Sequence, residues 1–247
     1  MIEPAFYTKL SEYACLSQAD VVLDAGAGFG FLSRFLADRC KTVVAVEKDP
    51  RIAAVLREQL SNCTNVTVIE GDVLKAELPE FGKVVSIPPY YLSSHLIAWL
   101  VERKTRCSVL ILQKEFADKL VAPVGSDDYG WLTVIVSQEA QAELLDAVPQ
   151  SAFYPMPEVD SVIVRLTRGT TPRFEVYDEA LFKTLVRWLF TQRNRKICNS
   201  MLPFLRSTRK LDKETAEKLA STCPFSDRRT RELSPREFGE LVNALKA

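Results

Sequence analysis

The stretch VVLDAGAGFGFLSRFLADRC, residues 21–40, constrains the fold more than any other part of the chain. A buried-strand pattern over 21–26 enters a turn holding Gly26, Gly28 and Gly30, and residues 31–40 then place apolar side chains at helical spacing. Strand, glycine turn and helix in that order open a βαβ unit. The pattern then repeats. TVVAVEKD (42–49) reads as the next strand, and PRIAAVLREQL (50–60) as a helix with Pro50 in its first turn, where a missing N–H costs nothing. VTVIEGD (66–72), KVVSI (83–87) and CSVLILQ (107–113) are further strands. Strands and helices alternating over short connections predict a parallel, doubly wound sheet, hence an α/β, Rossmann-like domain.

Residues 5–16, 93–102, 114–122 and 129–140 read as helices, and 141–149 and 161–168 as late strands. Between these two strands lies PQSAFYPMPEVD (149–160), a loop punctuated by prolines. From about residue 178 the periodicity is helical only, over 179–201, 212–221 and 234–245. The last of these opens with Ser234, Pro235 and Glu237, a capping box with proline in the first turn. The expected domains are therefore 1–170, α/β, and 171–247, all helical.

Composition narrows the chemistry. His95 is the only histidine, which excludes mechanisms needing two, and its place at the start of a helix suits a surface or capping role. Cysteines 15, 40, 63, 107, 198 and 223 form no Cys-x-x-Cys pair, so no metal site and no disulfide framework is expected. No apolar run is long enough to span a bilayer, and the first residues lack a basic stretch before an apolar one. A cytoplasmic, monomeric protein is the expectation. Net charge is zero but unevenly spread: residues 161–210 hold 11 Lys and Arg against 3 Asp and Glu. That imbalance suits a polyanionic partner, although a solvated basic helix face explains it equally well.

The acids at the strand ends point to a cofactor. Asp24 precedes the glycine turn, Glu47 ends the second strand and Asp72 ends the third. Dinucleotide and methyl-donor folds share the glycine pattern. S-adenosylmethionine (SAM) has no pyrophosphate to cradle but needs acceptors for its ammonium, ribose and adenine groups. Acids ending three successive strands supply them, which favours SAM over a dinucleotide. The expected cofactor set is Asp24, Gly26, Gly28, Glu47, Lys48, Asp72 and Val73.

The fourth strand ends in Ile87-Pro88-Pro89-Tyr90-Tyr91. Proline cannot donate to a sheet ladder, so the strand stops there and presents aromatic rings at its C-terminal edge. This turn resembles the loop of methyltransferases that act on exocyclic amines of bases. In such chemistry acceptors hold the amine, a ring stacks on the base, and no strong general base is needed. Tyr91 is read as a packing residue.

The resemblance extends along nearly the whole chain. LQKEFADKLVAPVGSDDYGWLTV (112–134), VPQSAFYPMPEVDSVIVRL (148–166) and LFTQRNRKICNSM (189–201) are similar to the ribosomal RNA adenine dimethyltransferase family of KsgA type, with its related macrolide-resistance enzymes. Pro149, Phe153, Pro155, Pro157, Val159 and Ser161 match the family pattern position by position. The resemblance implies that Phe153 and Tyr90 stack on the flipped-out target base. Gly26, Gly28, Glu47 and Asp72 match the family's SAM contacts. The stretch QRNRK, with Arg193, Arg195 and Lys196, falls in a domain that contacts ribosomal RNA in the family. Ribosomal RNA, naked or in an assembling small subunit, is the partner so implied.

Two departures stand out. The family's Asn-Leu-Pro-Tyr is Ile87-Pro88-Pro89-Tyr90 here, so the asparagine side chain, one of two acceptors for the target amine, is replaced by isoleucine; the Pro88 carbonyl could still supply the backbone acceptor, and the Ser86 hydroxyl, one position earlier, could supply another. The family's glycine- and glutamine-containing N-terminal segment is missing, the chain starting roughly where it ends. Three readings follow: dimethylation of adenine N6, methylation of cytosine N4, or a non-catalytic assembly factor. Cytosine amino-methyltransferases often carry Ser/Asn-Pro-Pro-Tyr, which tilts the target slightly toward cytosine. The retained cofactor residues and Phe153 speak against the third reading.

Overall fold

The computed structural model describes residues 3–103 and 105–245. The chain folds as two compact units, 1–118 with 141–169, and 119–140 with 170–247. The first unit holds β1 (Val21–Ala25), β2 (Thr42–Glu47), β3 (Val66–Glu70), β4 (Lys83–Ser86), β5 (Cys107–Gln113), β6 (Ala140–Val148) and β7 (Ser161–Arg168) in one sheet, ordered β3-β2-β1-β4-β5-β7-β6. Strands β1 to β5 pair in parallel, whereas β7 runs antiparallel to β5 with Ser161 opposite Gln113. Leu23, Val44, Val84 and Leu110 are wholly buried, as continuous apolar runs are when helices cover both faces of a parallel sheet.

Helices α1 (Ala5–Tyr13), α2 (Phe31–Ala37), α3 (Pro50–Gln59) and α4 (Ser93–Glu102) belong to this unit. Phe6 and Leu10 of α1, Leu36 of α2 and Leu56 of α3 join Val22, Val43, Val85 and Ile111 in its core. Burying one such leucine stabilises the fold by about 1.5–3 kcal/mol. His95 is exposed on α4. The chain runs outward from β1 to β3 and then returns to place β4 on the other side of β1. Strand order reverses there, and a crevice opens at the carboxyl ends of β1 and β4, where ligands bind in open α/β sheets.

In the second unit, α6 (Trp131–Glu139) packs against α7 (Glu179–Phe190) and α10 (Pro235–Ala244), with α8 (Ile197–Thr208) and α9 (Lys213–Thr222) completing it. Helix α5 (Lys114–Leu120) spans the division at residue 118. Residues 119–140, expected in the α/β domain, thus group with the C-terminal helices. Nearly every side chain of α6 is buried, and the Phe190 ring lies 5.6 Å from those of both Tyr129 and Phe238. A helix this apolar needs other helices around it. The single helical stretch expected over 179–201 is also two helices. Between them, the carbonyls of Arg193 and Arg195 accept from the amides of Arg231 and Thr230, and Lys196 bridges Arg229 in β fashion. This pairing with a distant segment takes the backbone out of the helix.

Among the described residues, no helix is long and apolar enough to cross a membrane, and no cluster of three or more His, Cys, Asp or Glu could hold a metal.

Candidate active site

An open cleft of about 870 Å³ lies at the switch point, within the size range of small-molecule sites. Its walls include Gly26, Gly28, Glu47 and Lys48 on one side and Ile87 to Tyr91, Phe153 and Tyr154 on the other. A smaller recess shares Gly26, Glu47, Lys48, Pro89 and Tyr91 and adds Asp72 and Val73. Of the expected cofactor residues, all but Asp24 line these two spaces.

Gly26 explains why the glycine turn and the proline loop meet. Its φ is +81°, and a Cβ built on it would lie 2.7 Å from Pro89 Cδ. Only glycine allows both that conformation and that approach. Glu47 is held by its surroundings: Oε2 accepts from the Gly28 amide at 2.9 Å, and Oε1 accepts from the amides of Lys48 and Asp49 at 2.8 and 2.9 Å. Three bonds leave a carboxylate, with about four lone-pair sites, room for a ligand hydroxyl. Asp72 accepts from the Leu74 amide at 3.1 Å and pairs with the Lys48 ammonium at 3.2 Å. The Leu74 amide, then Lys48, hold its carboxyl below the usual range. Two fixed carboxylates, a close-approach glycine turn and an apolar flank fit SAM.

Asp24 is placed elsewhere. It is 1% exposed, beneath the turn, and its Oδ2 accepts from the Ser33 hydroxyl at 2.7 Å. The expected cofactor acceptor is instead a tie between β1 and α2, because the first helix residues fold back over it. Burial pushes its carboxyl up to about 7, Ser33 and Ser86 pulling it partly back and Glu47 adding to the rise. Between about pH 4 and pH 7 the folded protein keeps a proton that the unfolded chain gives up, so this group's contribution falls as pH rises. Asp24→Asn removes that loss. The Tm of the variant relative to wild type is expected to rise from pH 5 to pH 8; a difference independent of pH contradicts it.

In the proline loop, the Ser86 hydroxyl donates to the Ala25 carbonyl at 2.7 Å and is fully buried, so it is not the substitute acceptor considered from sequence. Ile87 packs partly against the core. Tyr90 opens a short 3-10 turn, and its hydroxyl lies 2.7 Å from Ser161 Oγ. Ser161, itself buried, starts β7 directly after the loop that carries Phe153, so one hydrogen bond joins the segments bearing the two rings. Sequence matching found Ser161 but gave it no role. Ser161→Ala is expected to lower kcat roughly tenfold through loss of one buried hydrogen bond, about 1.4 kcal/mol; unchanged kcat would free Tyr90 from that bond. Tyr91, read as packing, is 75% exposed.

The three basic residues expected to meet RNA lie in the second unit, and each has a partner there, Arg193 the most firmly. The Arg193 guanidinium donates to the carbonyls of Asp127 and Ser126 at 2.6 and 2.7 Å, and the Lys196 ammonium pairs with Asp227 at 3.2 Å. Arg195 is exposed, its guanidinium donating to the Gln192 side chain at 2.6 Å. Arg193→Ala is therefore expected to lower Tm by several degrees, the loss of charged hydrogen bonds being worth about 1.5–3 kcal/mol. A lowered salt dependence of RNA binding with unchanged Tm would contradict that structural role.

Comparison with known proteins adds the lineage of this site. The family model described as ribosomal RNA adenine dimethylase matches residues 2–232. A "Probable ribosomal RNA small subunit methyltransferase A" of Methanosarcina acetivorans is 40% identical over 246 residues, spanning 99% of this chain and 90% of that protein. The ribosomal RNA small subunit methyltransferase A of a Geobacillus species is 35% identical, spanning 100% and 89%. Among solved structures, a dimethyladenosine transferase from Plasmodium falciparum aligns over 100% of this chain and 97% of its own, with TM-score 0.82 and 25% identity. The 23S rRNA methyltransferase ErmE aligns over 99% and 98%, with TM-score 0.69 and 31% identity.

Proposed function

The chain belongs to the ribosomal RNA adenine dimethylase family and is a SAM-dependent rRNA methyltransferase, and on that premise we propose that it dimethylates N6 of adenosine in small-subunit rRNA. The observation that carries this is the convergence at one cleft of Gly26, Pro88-Pro89-Tyr90 and Phe153, with Tyr90 held by Ser161. The base assignment rests on the relatives. The family is described by adenine, and the Plasmodium falciparum protein is a dimethyladenosine transferase. The tilt toward cytosine N4, drawn from the Pro-Pro-Tyr loop, finds no support among them. A non-catalytic assembly factor is not favoured either, since the glycine turn, Glu47, Asp72 and Phe153 all stand at the cleft.

Bound SAM supplies a methyl group on a sulfonium, an electrophile that needs only an aligned lone pair. The chain's own residues do the aligning. An adenine amine shares its lone pair with the ring, and an acceptor on its N–H restores the direction of attack. Here Ile87 stands where the family has its asparagine side chain, and the Pro88 carbonyl supplies the backbone acceptor. Two successive prolines keep it fixed, which is how positioning replaces a general base. The rings of Tyr90 and Phe153 grip the flipped base, and the Glu47 and Asp72 carboxylates hold the cofactor's ribose and adenine. Arg195, exposed in the second unit, contacts RNA phosphate. Small-subunit rRNA, naked or in an assembling subunit, is the substrate.

The test is direct. Purified protein, SAM carrying a labelled methyl and small subunits lacking the modification are incubated, and the rRNA is digested to nucleosides. Label in N6,N6-dimethyladenosine is the expected result. Label in a methylated cytidine, or none, would overturn the assignment.

A further inference from the structure

Beside the cleft, two tyrosines and a methionine stand in solvent. Tyr91 is 75% exposed, Tyr154 82% and Met156 65%. Scattered exposed apolar residues need no explanation, but several bordering one site mark a binding surface. Tyr91 and Tyr154 line the cleft itself, and Met156 sits between Pro155 and Pro157, which also line it. Among the described residues neither tyrosine hydroxyl makes a hydrogen bond, in contrast to Tyr90, whose hydroxyl is tied to Ser161. Prolines stiffen the backbone nearby, Pro88 and Pro89 shortly before Tyr91 and Pro155 directly after Tyr154.

We propose that Tyr91 and Tyr154, with the Met156 thioether beside them, form a stacking rim for the nucleobases that flank the methylated adenosine in the RNA. This rests on the adenosine reading above and adds a second set of contacts to it. An adenosine drawn out of its strand leaves a base face uncovered on each side, a cost that the enzyme must offset. An exposed ring held on a proline-stiffened segment offers such a face a partner without further ordering of the protein. The two rings, the thioether and the flanking prolines present apolar faces, which suit bases, while Lys48, the one cation among the described residues of the cleft wall, is already paired with Asp72. Stacking is tolerant of base identity, each base stacked being worth about 5- to 150-fold in affinity. The tyrosines thus bind the neighbours of the target for their faces, and leave selection of the target to the cleft.

The test combines crosslinking with kinetics. The full chain is bound to small ribosomal subunits lacking the modification and irradiated with ultraviolet light, and the crosslinked peptides are sequenced by mass spectrometry. In the same preparation the methylated nucleotide is mapped. Peptides containing Tyr91 and Tyr154 are expected to carry the nucleotides immediately next to the methylated one. Tyr91→Ala with Tyr154→Ala is expected to raise KM for these subunits at least fivefold, while Tyr91→Phe with Tyr154→Phe keeps it within twofold of wild type, since the rings and not the hydroxyls are used. Crosslinks to a ribosomal protein or to distant nucleotides, or a KM within twofold of wild type, would overturn the rim. A methylated nucleoside other than adenosine would overturn the base assignment alone, because neighbouring crosslinks stand whatever the target.

Discussion

Gly26→Ala is expected to cut kcat/KM at least about 100-fold. Two independent costs coincide at this residue. Its φ of +81° lies in the left-handed region, which costs an L-residue about 1–2 kcal/mol. The added Cβ would also lie 2.7 Å from Pro89 Cδ, closer than such atoms come, and the proline ring has no rotamer to escape into. Either the glycine turn or the Pro-Pro-Tyr loop must shift, and a displacement of about 1 Å at a reacting centre costs about 100-fold. Because the turn also lines the cofactor space, SAM affinity falls with turnover. Gly28→Ala is the control. Its φ is +57° and no protein atom lies within 4 Å of the added methyl, so the clash with Pro89 is absent and the loss, from the conformational cost and from crowding of bound SAM, is smaller. Steady-state kinetics and calorimetric titration of SAM read both effects. Equal, small losses in the two variants would mean that the contact with Pro89 is unimportant.

Phe153→Ala is expected to lower kcat/KM about 100-fold, again on small subunits lacking the modification, while SAM affinity stays within about twofold. Phe153 follows a short 3-10 turn that starts at Pro149, and its ring packs in part against the core of the α/β unit. Truncation to alanine therefore removes both a stacking face and some packing. Stacking accounts for about 1–3 kcal/mol, and loss of alignment adds to it. Phe153→Leu separates the two: it keeps most of the packing, so Tm recovers, but lacks a planar face, so turnover does not. Recovery of both in the leucine variant would show that Phe153 supports the loop and does not touch the base. Tyr90→Ala is expected to behave like Phe153→Ala, with an added loss from the broken bond to Ser161.

The alternation of strand and helix was legible because each parallel strand is a short apolar run bounded by a turn, so position along the chain already says which residues reach the crevice. Glu47, the last residue of β2, and Asp72, two residues beyond the end of β3, could be placed in that way. Asp24 is also an acid near its strand's carboxyl end, yet it lies inside β1, paired with Ala45, and is buried. What sets it apart is Ser33, nine residues on, and the close return of α2 over the turn; neither is a pattern in the strand itself. Tyr91 beside Tyr90 shows a similar limit, because adjacent tyrosines in a turn give no clue to which one finds a buried serine 71 residues away.

The second unit was less legible for the same physical reason. Helical periodicity runs almost unbroken through residues 179–201, and only pairing with residues 228–231 interrupts it. Arg193 looks like a phosphate contact in a basic run, but its guanidinium is held by backbone carbonyls of residues 126 and 127. Charge counting registers a cation without registering that it is already satisfied. The membership of residues 119–140 in this unit follows from the apolar surface of α6, which reads equally well as core of either unit until its neighbours are known.

On the proposed reading, the Pro-Pro-Tyr loop positions an adenosine amine for methylation although the family's asparagine is absent. Nucleoside mass spectrometry of small-subunit rRNA, from cells with and without the gene for this chain, tests it most directly. Loss of N6,N6-dimethyladenosine on deletion, restored by the wild-type gene and not by one carrying Phe153→Ala, is the predicted result. Dimethyladenosine that persists unchanged while a methylated cytidine disappears would contradict it.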